Sequence, residues 1–218
     1  SADVVSSTVP CSNKWMIGTV NSFFIGIVAT VIATALGTLA ALGLSRPHMP
    51  FKGLIMAILI SPMIVPLIIT AAGMFFFYAR INLVYTFTGV ILAHVALATP
   101  FVVITVTATL VGFDMNMVKA AQSLGARPVK TFFRVIMPLI LPGIISGALF
   151  AFITSFDEVV IVMFMASLDQ LTIPKQMWAG IRQEISPVIL CMATCLVALS
   201  IFLLTTVELL RRRSERLR

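Results

Sequence analysis

The chain has 218 residues, of which 60% are hydrophobic and 11% are charged, with a formal net charge of +7. Soluble domains carry about 25% charged residues, so this composition leaves too little polar surface to cover a soluble globule. The basic residues lie beside long apolar runs. That position argues against nucleic acid as a partner and favours a role in orienting the chain in a membrane.

Five long apolar stretches follow one another along the chain, at residues 15–44, 54–79, 84–111, 135–165 and 188–210. Each is long enough to cross a bilayer, which takes roughly 20 residues. Because lipid offers no partner for backbone N–H and C=O groups, the spans are expected to be helical. The sequence therefore predicts one all-α domain over residues 1–218, a polytopic membrane helix bundle with five transmembrane helices.

The basic residues are concentrated at alternate ends of these spans, and the positive-inside rule assigns such ends to the cytoplasm. The loops 46–53 and 112–134 and the C-terminus are therefore expected to be cytoplasmic. Residues 1–14 are polar and are expected to be the end of an outer loop, preceded by a sixth, N-terminal span. The basic residues on the expected cytoplasmic side are Arg46, Lys52, Lys119, Arg127, Lys130, Arg134 and the arginines at 211, 212, 213, 216 and 218.

Prolines interrupt the spans: Pro62 and Pro66 lie in the second, Pro100 lies in the third, and Pro138 and Pro142 open the fourth. Each proline removes a backbone donor and kinks a helix. Small residues in the first span allow neighbouring helices to approach closely. These features favour a bundle that bends or rearranges, although prolines are also tolerated in ordinary membrane helices.

The loop 112–134 carries a helical pattern of its own, with Met117, Ala120, Ala121 and Leu124 at spacings of three and four. Gly125 suits the end of this helix, where a left-handed residue is favourable. A short helix with a small-residue face docks into a groove on a partner protein or rests on the membrane surface. The residues alone leave both alternatives open.

Ionisable side chains within apolar stretches are costly and rarely face lipid. Asp157 and Glu158 lie near the outer end of the fourth stretch. They either attract a cationic substrate or cap and hold the outer segment, paired with Lys175 or Arg182. Adjacent helical residues point about 100° apart, which favours the structural alternative. His94 lacks the aligned partners of a proton relay, so a hydrogen-bonded packing role is expected.

The segment 167–187 between the fourth and fifth stretches is expected to lie outside the membrane. Its apolar residues Ile173, Met177, Trp178 and Ile181 recur at helical spacing. The sequence therefore predicts an external amphipathic helix at the membrane interface.

The loop resembles the EAA motif of binding-protein-dependent ABC importer permeases, which reads Glu-Ala-Ala, three residues, Gly, nine residues, then Ile-x-Leu-Pro. The chain has Lys119-Ala120-Ala121, Gly125 and Val135-Ile136-Met137-Pro138 at the same spacing, with Lys119 in place of the motif glutamate. The similarity covers nearly the whole chain. The flanking residues Gly112-Phe-Asp114 and Ser155-Phe-Asp-Glu158 are similar to the spermidine/putrescine branch.

The resemblance implies the type I (MetI-like) importer permease fold and a subunit that forms half the path for a small solute. A polyamine, or a related cationic or amino compound, is the expected substrate. The implied partners are a dimer of cytoplasmic ATP-binding subunits, an external substrate-binding protein and the lipid of the bacterial inner membrane. A second permease subunit, similar or identical to this chain, is also implied, and a heterodimer is the expected form. ATP and Mg would be bound by the ATPase partner, so no catalytic residue, cofactor or metal is expected in this chain, which has no G-x-x-x-x-G-K-[ST] motif.

In this family the loop is a coupling helix that docks on the ATPase subunit. The positions that correspond to coupling residues are Lys119, Ala120, Ala121, Leu124, Gly125, Arg127 and Pro138, while Asp157 and Glu158 are the candidates for the substrate path. The alternative function is an ion-coupled secondary transporter. Such transporters usually show repeated halves, and the sequence shows no internal repeat.

Overall fold

A computed structural model describes residues 2–46, 49–112, 116–183 and 187–216. Within these residues the chain is helical and contains no β-strand, as the sequence predicts. The α-helices are α1 (Ala2–Leu44), α2 (Lys52–Ile64), α3 (Leu67–Arg80), α4 (Phe87–Val111), α5 (Asn116–Ser123), α6 (Pro128–Thr131), α7 (Met137–Phe156), α8 (Val160–Met165), α9 (Ile173–Gln183) and α10 (Pro187–Arg216). A π-helical turn, Phe132–Ile136, joins α6 to α7.

Helices α1, α4 and α7 pack on one another and form the core. The segments Lys14–Leu44, Phe87–Val111 and Pro128–Phe156 are each long and apolar enough to cross a membrane. The middle helix, α4, is the most deeply enclosed, and Val90, Ala98 and Val102 on it are fully buried. Because α4 contacts core helices on both sides, its sequence is apolar all round rather than amphipathic.

The core helices approach one another at glycines. A Cβ built on Gly37 of α1 would lie 2.6 Å from Cβ of Val102 on α4. Gly143 and Gly147 of α7 meet Thr109 and Thr105 of α4 in the same way. Small residues at these crossings allow the close backbone packing that membrane helices use instead of a hydrophobic driving force.

The second apolar stretch differs from the single span that the sequence predicts over residues 54–79. It forms α2 and α3, which meet at 105°. Val65 is extended, with ψ of 135°, and Pro66 follows it. A residue before proline avoids the helical conformation, which explains why the chain breaks here. Pro62, in contrast, lies inside α2.

The fourth stretch also differs from its predicted range of 135–165. At its N-terminal end the helix begins earlier, because α6 and the π-turn lead without interruption into α7. At its C-terminal end α7 stops at Phe156, and a new helix, α8, begins at Val160. The carboxylate of Glu158 accepts a hydrogen bond from the backbone of Ile161, which starts α8 and competes with a continuous helix.

Helices α1 and α10 contain the first and the fifth predicted stretches. The sequence predicts a loop over residues 1–14, which is wrong for residues 2–14 because α1 begins at Ala2. Extending a long helix adds one hydrogen bond per residue at little cost. The fifth stretch lies within α10, whose apolar part among the described residues is Leu190–Phe202. By length and composition, three helices in the described residues can cross a membrane, or up to four if the bent α2–α3 pair is one span.

The close contact of α1 with α4 predicts that Gly37→Ala lowers stability. The new methyl group would collide with Val102, and overpacking of this kind costs about 1–3 kcal/mol. The midpoint of thermal unfolding in detergent micelles measures the effect. Gly43→Ala is the control, because Gly43 lies on the same helix and has open space around it. Equal unfolding midpoints for the two variants would contradict the packing argument.

Candidate coupling loop and outer carboxylates

The predicted short helix in the loop 112–134 is confirmed as α5, whose last residue, Ser123, is followed by a turn at Leu124 and Gly125. Gly125 has φ of +78°, in the left-handed region. Its N–H donates to the carbonyl of Gln122 at 2.9 Å, and the N–H of Ala126 donates to the carbonyl of Ala121 at 3.0 Å. This pair of bonds is a Schellman motif, which gives the last carbonyls of α5 their partners and needs glycine at the left-handed position.

The apolar face of α5 is uncovered. Leu124 is 89% exposed and Met117 is 48% exposed. Lys119 and Ala120 are also exposed, whereas Ala121 is half-buried. Isolated helices of this length are marginal in water, and an exposed apolar face marks an interaction surface more often than a free surface.

A continuous helix joins this loop to the membrane core. Arg127 is extended and exposed, and Pro128 takes the first position of α6, where a missing N–H is harmless. In the π-turn, the N–H of Met137 donates to the carbonyl of Phe132, five residues earlier. Pro138, the next residue, has no N–H to donate and lies exposed in the first turn of α7. Local widening of a helix next to a proline avoids the clash of its ring with the preceding turn.

The candidate residues fall into two groups at opposite ends of α7. The residues from Lys119 to Arg127 lie in α5 and the turn after it, before α7 begins. Asp157 and Glu158 follow the last residue of α7. A helix of the length of α7 spans roughly 30 Å, so the two groups are one transmembrane helix apart.

The two carboxylates have different surroundings. Asp157 is exposed at the end of α7. Glu158 is 7% exposed, and its Oε1 accepts a hydrogen bond of 3.0 Å from the N–H of Ile161. This contact caps the N-terminus of α8, where a negative charge is favourable. Of the two expected roles, Glu158 therefore has the capping one, while the carboxylate of Asp157 is exposed.

Lys175 does not pair with either carboxylate. Its Nζ donates to the carbonyls of Val162 at 3.2 Å and Ala166 at 2.9 Å, at the C-terminal end of α8. Burial lowers the pKa of this ammonium group. The other expected partner, the side chain of Arg182, lies outside the described residues. Helix α8 is thus held by a carboxylate at its start and an ammonium group at its end.

The sequence analysis missed a set of polar contacts that tie α1 to the link between α8 and α9 and to the first residue of α9. Asn21 donates from Nδ2 to the carbonyls of Asp169 at 2.8 Å and Leu171 at 3.0 Å. Ser22 accepts from the N–H of Ile173 at 2.8 Å. Two adjacent polar residues within an otherwise apolar stretch were the available signal, because buried polar groups need partners. The helix predicted in the segment 167–187 is present as α9, and Trp178 on it is exposed.

An aromatic cluster that includes Phe156, the residue before Asp157, was also missed. The ring of Phe156 lies 5.1 Å from that of Phe23 and 5.3 Å from that of Phe152, measured between centroids. Phe23 is 38% exposed, so the cluster reaches the surface. Aromatic faces attract cations.

The packing role expected for His94 is confirmed. His94 is buried between core helices, and its Nδ1 shares a hydrogen bond of 2.7 Å with Oγ of Ser155 on α7. The contact satisfies one polar atom of each side chain inside the bundle.

Comparisons with known proteins agree with this architecture. The chain is 30% identical over 196 residues to the spermidine/putrescine transport system permease protein PotC of Haemophilus influenzae, covering 90% of this chain and 76% of that protein. It is 31% identical over 181 residues to the putrescine transport system permease protein PotI of Escherichia coli K12, covering 79% of this chain and 64% of that protein.

Among solved structures, a chain of the MetNI methionine ABC transporter in an inward-facing conformation superposes with a TM-score of 0.73. The superposition covers 94% of this chain and 98% of that one, at 17% sequence identity, so it shows a shared fold. The family model for binding-protein-dependent transport system inner membrane components matches residues 19–216. The chain belongs to this family of multi-pass inner membrane permeases.

Proposed function

We propose that the chain is the permease subunit of an ATP-driven importer for polyamines, in which α5 receives the mechanical work of a cytoplasmic ATPase. The observation that carries the proposal is the exposed apolar face of α5, on a segment that leads through α6 and the π-turn into a core helix. A helix joined in this way transmits a displacement of the loop to the membrane core.

The coupling surface consists of Ala120, Ala121, Leu124 and Gly125. Small residues allow a partner groove to approach the backbone, and Leu124 supplies an exposed apolar anchor. Lys119 and Arg127 flank this surface as exposed cations and would meet acidic groups on the partner. Pro138 acts differently, because it lies beyond the π-turn and fixes how the loop continues into α7.

The proposal requires the loop to be cytoplasmic, which also makes the C-terminus cytoplasmic and the segment with Asp157 external. The distribution of basic residues supports this orientation. In the proposed complex the ATPase subunit binds ATP and Mg, and an external binding protein delivers the substrate. A second permease chain, similar or identical to this one, forms the other half of the path.

A polyamine fits the outer site chemically. Asp157 offers an exposed carboxylate, and Phe156, the residue before it, belongs to a cluster of rings with Phe23 and Phe152. An elongated cation with methylene segments gains from both charge attraction and aromatic contact. The names of the PotC and PotI relatives support the same class of substrate.

The family match favours an ATP-driven importer over an ion-coupled secondary transporter, and the nucleotide dependence of uptake tests this directly. Putrescine uptake into proteoliposomes that contain the complete transporter should require ATP and should be inhibited by vanadate. Uptake driven by an ion gradient without nucleotide would exclude the proposed mechanism.

The coupling role of α5 predicts that Gly125→Asp uncouples ATP hydrolysis from transport. Asp tolerates a left-handed backbone better than most residues, so α5 keeps its end while a charged side chain enters the docking surface. We expect the variant to lose about 1.4 kcal/mol of docking energy or more. This loss corresponds to a fall in uptake of roughly tenfold or more. ATP hydrolysis and membrane insertion should persist.

Two variants control this experiment. Gly53→Asp adds the same charge at another exposed glycine with open space around it. Gly53 lies in the loop 46–53, which is also expected to be on the cytoplasmic side of the membrane. Gly125→Asn adds a side chain of similar size without the charge and should also impair uptake. Normal uptake by both Gly125 variants would remove α5 from the coupling mechanism.

The open carboxylate predicts that Asp157→Asn lowers putrescine uptake, because the attraction for a cation is lost while the side chain keeps its shape. Initial uptake rates at several putrescine concentrations should show a raised KM. Asp169→Asn is the matched control, since Asp169 is another exposed carboxylate in the outer segment. An unchanged KM for Asp157→Asn would assign this residue to structure alone.

Glu158 is predicted to act as a cap rather than as a cation ligand. Glu158→Ala should lower stability by about 0.5–2 kcal/mol, because the N–H of Ile161 loses its partner. Glu158→Gln retains an acceptor oxygen and should keep both stability and uptake. Thermal unfolding and putrescine uptake measure the two effects. A stable Glu158→Gln variant without uptake would show that the charge itself is needed.

A further inference from the structure

The loop that contains α5 carries charges of one sign only. Residues 115–156 include no Asp or Glu, and their charged residues are Lys119, Arg127, Lys130 and Arg134. All four side chains are exposed. In the part of the chain that the structure describes, none of them is paired with a carboxylate. Exposed charges of one sign repel one another, so this loop gains from an acidic surface outside the chain.

The membrane surface accounts for three of these four cations. Arg127, Lys130 and Arg134 follow one another at spacings of three and four, where the membrane-crossing segment Pro128–Phe156 begins. Basic residues at the end of a span are typical of the cytoplasmic membrane interface. Lys119 differs from them, because it lies on α5, a separate helix that precedes the span.

Lys119 lies on the side of α5 that faces away from the rest of the chain, which we call the outward face. Successive residues of a helix point about 100° apart, which places on this face the exposed residues Lys119, Ala120, Ser123 and Leu124. The other side of α5 packs on α6 and the π-turn, and Val118 and Ala121 are half-buried there. The ammonium group of Lys119 is therefore available to a partner that covers α5.

We propose that the ATPase subunit presents a carboxylate to Lys119, and that this contact decides which ATPase the permease accepts. A groove that closes over Ala120 and Leu124 removes water from the outward face. An ammonium group that loses water without gaining a counter-charge strongly disfavours binding, so the groove has to supply an acidic group. The inference rests on the proposed function, because it takes the docking of α5 on the ATPase as given.

The sign of the charge at this position provides the specificity. Lys119 stands where the importer motif has glutamate, whereas Ala120, Ala121 and Gly125 match the motif. A groove with a carboxylate at this point attracts an ammonium group and repels a glutamate, and a groove with a cation does the reverse. The matching small residues do not distinguish these two kinds of groove. Lys119 is therefore the residue of the coupling surface that determines the choice of partner.

A zero-length carbodiimide crosslinker tests the contact directly. The reagent joins a lysine amine to a carboxylate with loss of water and adds no spacer, so the two groups must touch. The complete transporter is purified with its ATPase, crosslinked, digested and analysed by mass spectrometry. We expect a peptide in which Lys119 is joined to an Asp or Glu of the ATPase. Lys119→Arg keeps the charge but removes the amine, so the ATPase should be retained and this crosslink lost.

Reversal of the charge tests the specificity. The Kd of the purified ATPase subunit is measured against the permease dimer in lipid nanodiscs. Lys119→Glu should raise this Kd by roughly tenfold or more, because repulsion replaces attraction at a covered contact. Lys52→Glu is the control, since Lys52 is another exposed lysine next to a loop expected to be cytoplasmic. Replacement of the crosslinked carboxylate of the ATPase by lysine should restore binding to the Lys119→Glu variant.

The outcomes separate this inference from the proposed function. A retained ATPase that gives no crosslink to Lys119 would overturn the inference and leave the proposed function standing. Equal increases in Kd for Lys119→Glu and Lys52→Glu would do the same. Failure of the ATPase to bind the unaltered permease dimer would overturn both.

Discussion

The close approach of three helix backbones at Gly37, Gly143 and Gly147 is the constraint on which the rest of the structure depends. Lipid tails are as apolar as leucine side chains, so apolar burial alone does not hold membrane helices together. Van der Waals contact between backbones takes that role, and it requires positions without a side chain opposite Val102, Thr105 and Thr109. The buried contact between His94 and Ser155 adds one specific polar bond between α4 and α7.

This rigid core gives α7 two irregular ends, and each end carries one of the candidate sites. At one end the π-turn connects the exposed α5 to the core. At the other end the helix stops before Asp157, and α8 begins with Glu158 as its cap. Both irregularities have local chemical causes, a proline in one case and a carboxylate in the other. A packed helix between two such ends moves as a unit, which suits a coupling element.

The candidate sites were predictable to different extents. The end of α5 at Gly125 follows from local sequence, because a left-handed residue after a helix strongly favours glycine. The separate roles of Asp157 and Glu158 do not, since two adjacent carboxylates carry the same chemistry and only burial distinguishes them. The partners of Asn21, Ser22 and Lys175 lie at distances along the chain that no local pattern specifies.

The sequence by itself determined the class of protein, the helical form and most of the helix positions, because the absence of water in a bilayer leaves a long apolar run few alternatives. It also determined the motif that resembles the coupling loop of importer permeases. Only the tertiary structure decided that α2 and α3 bend by 105°, that Lys175 caps α8 and that α1 and α7 leave a groove between them. These features depend on which side chains meet across the bundle. Helical periodicity shows which residues share one face of a helix, but it does not show which other helix packs against that face.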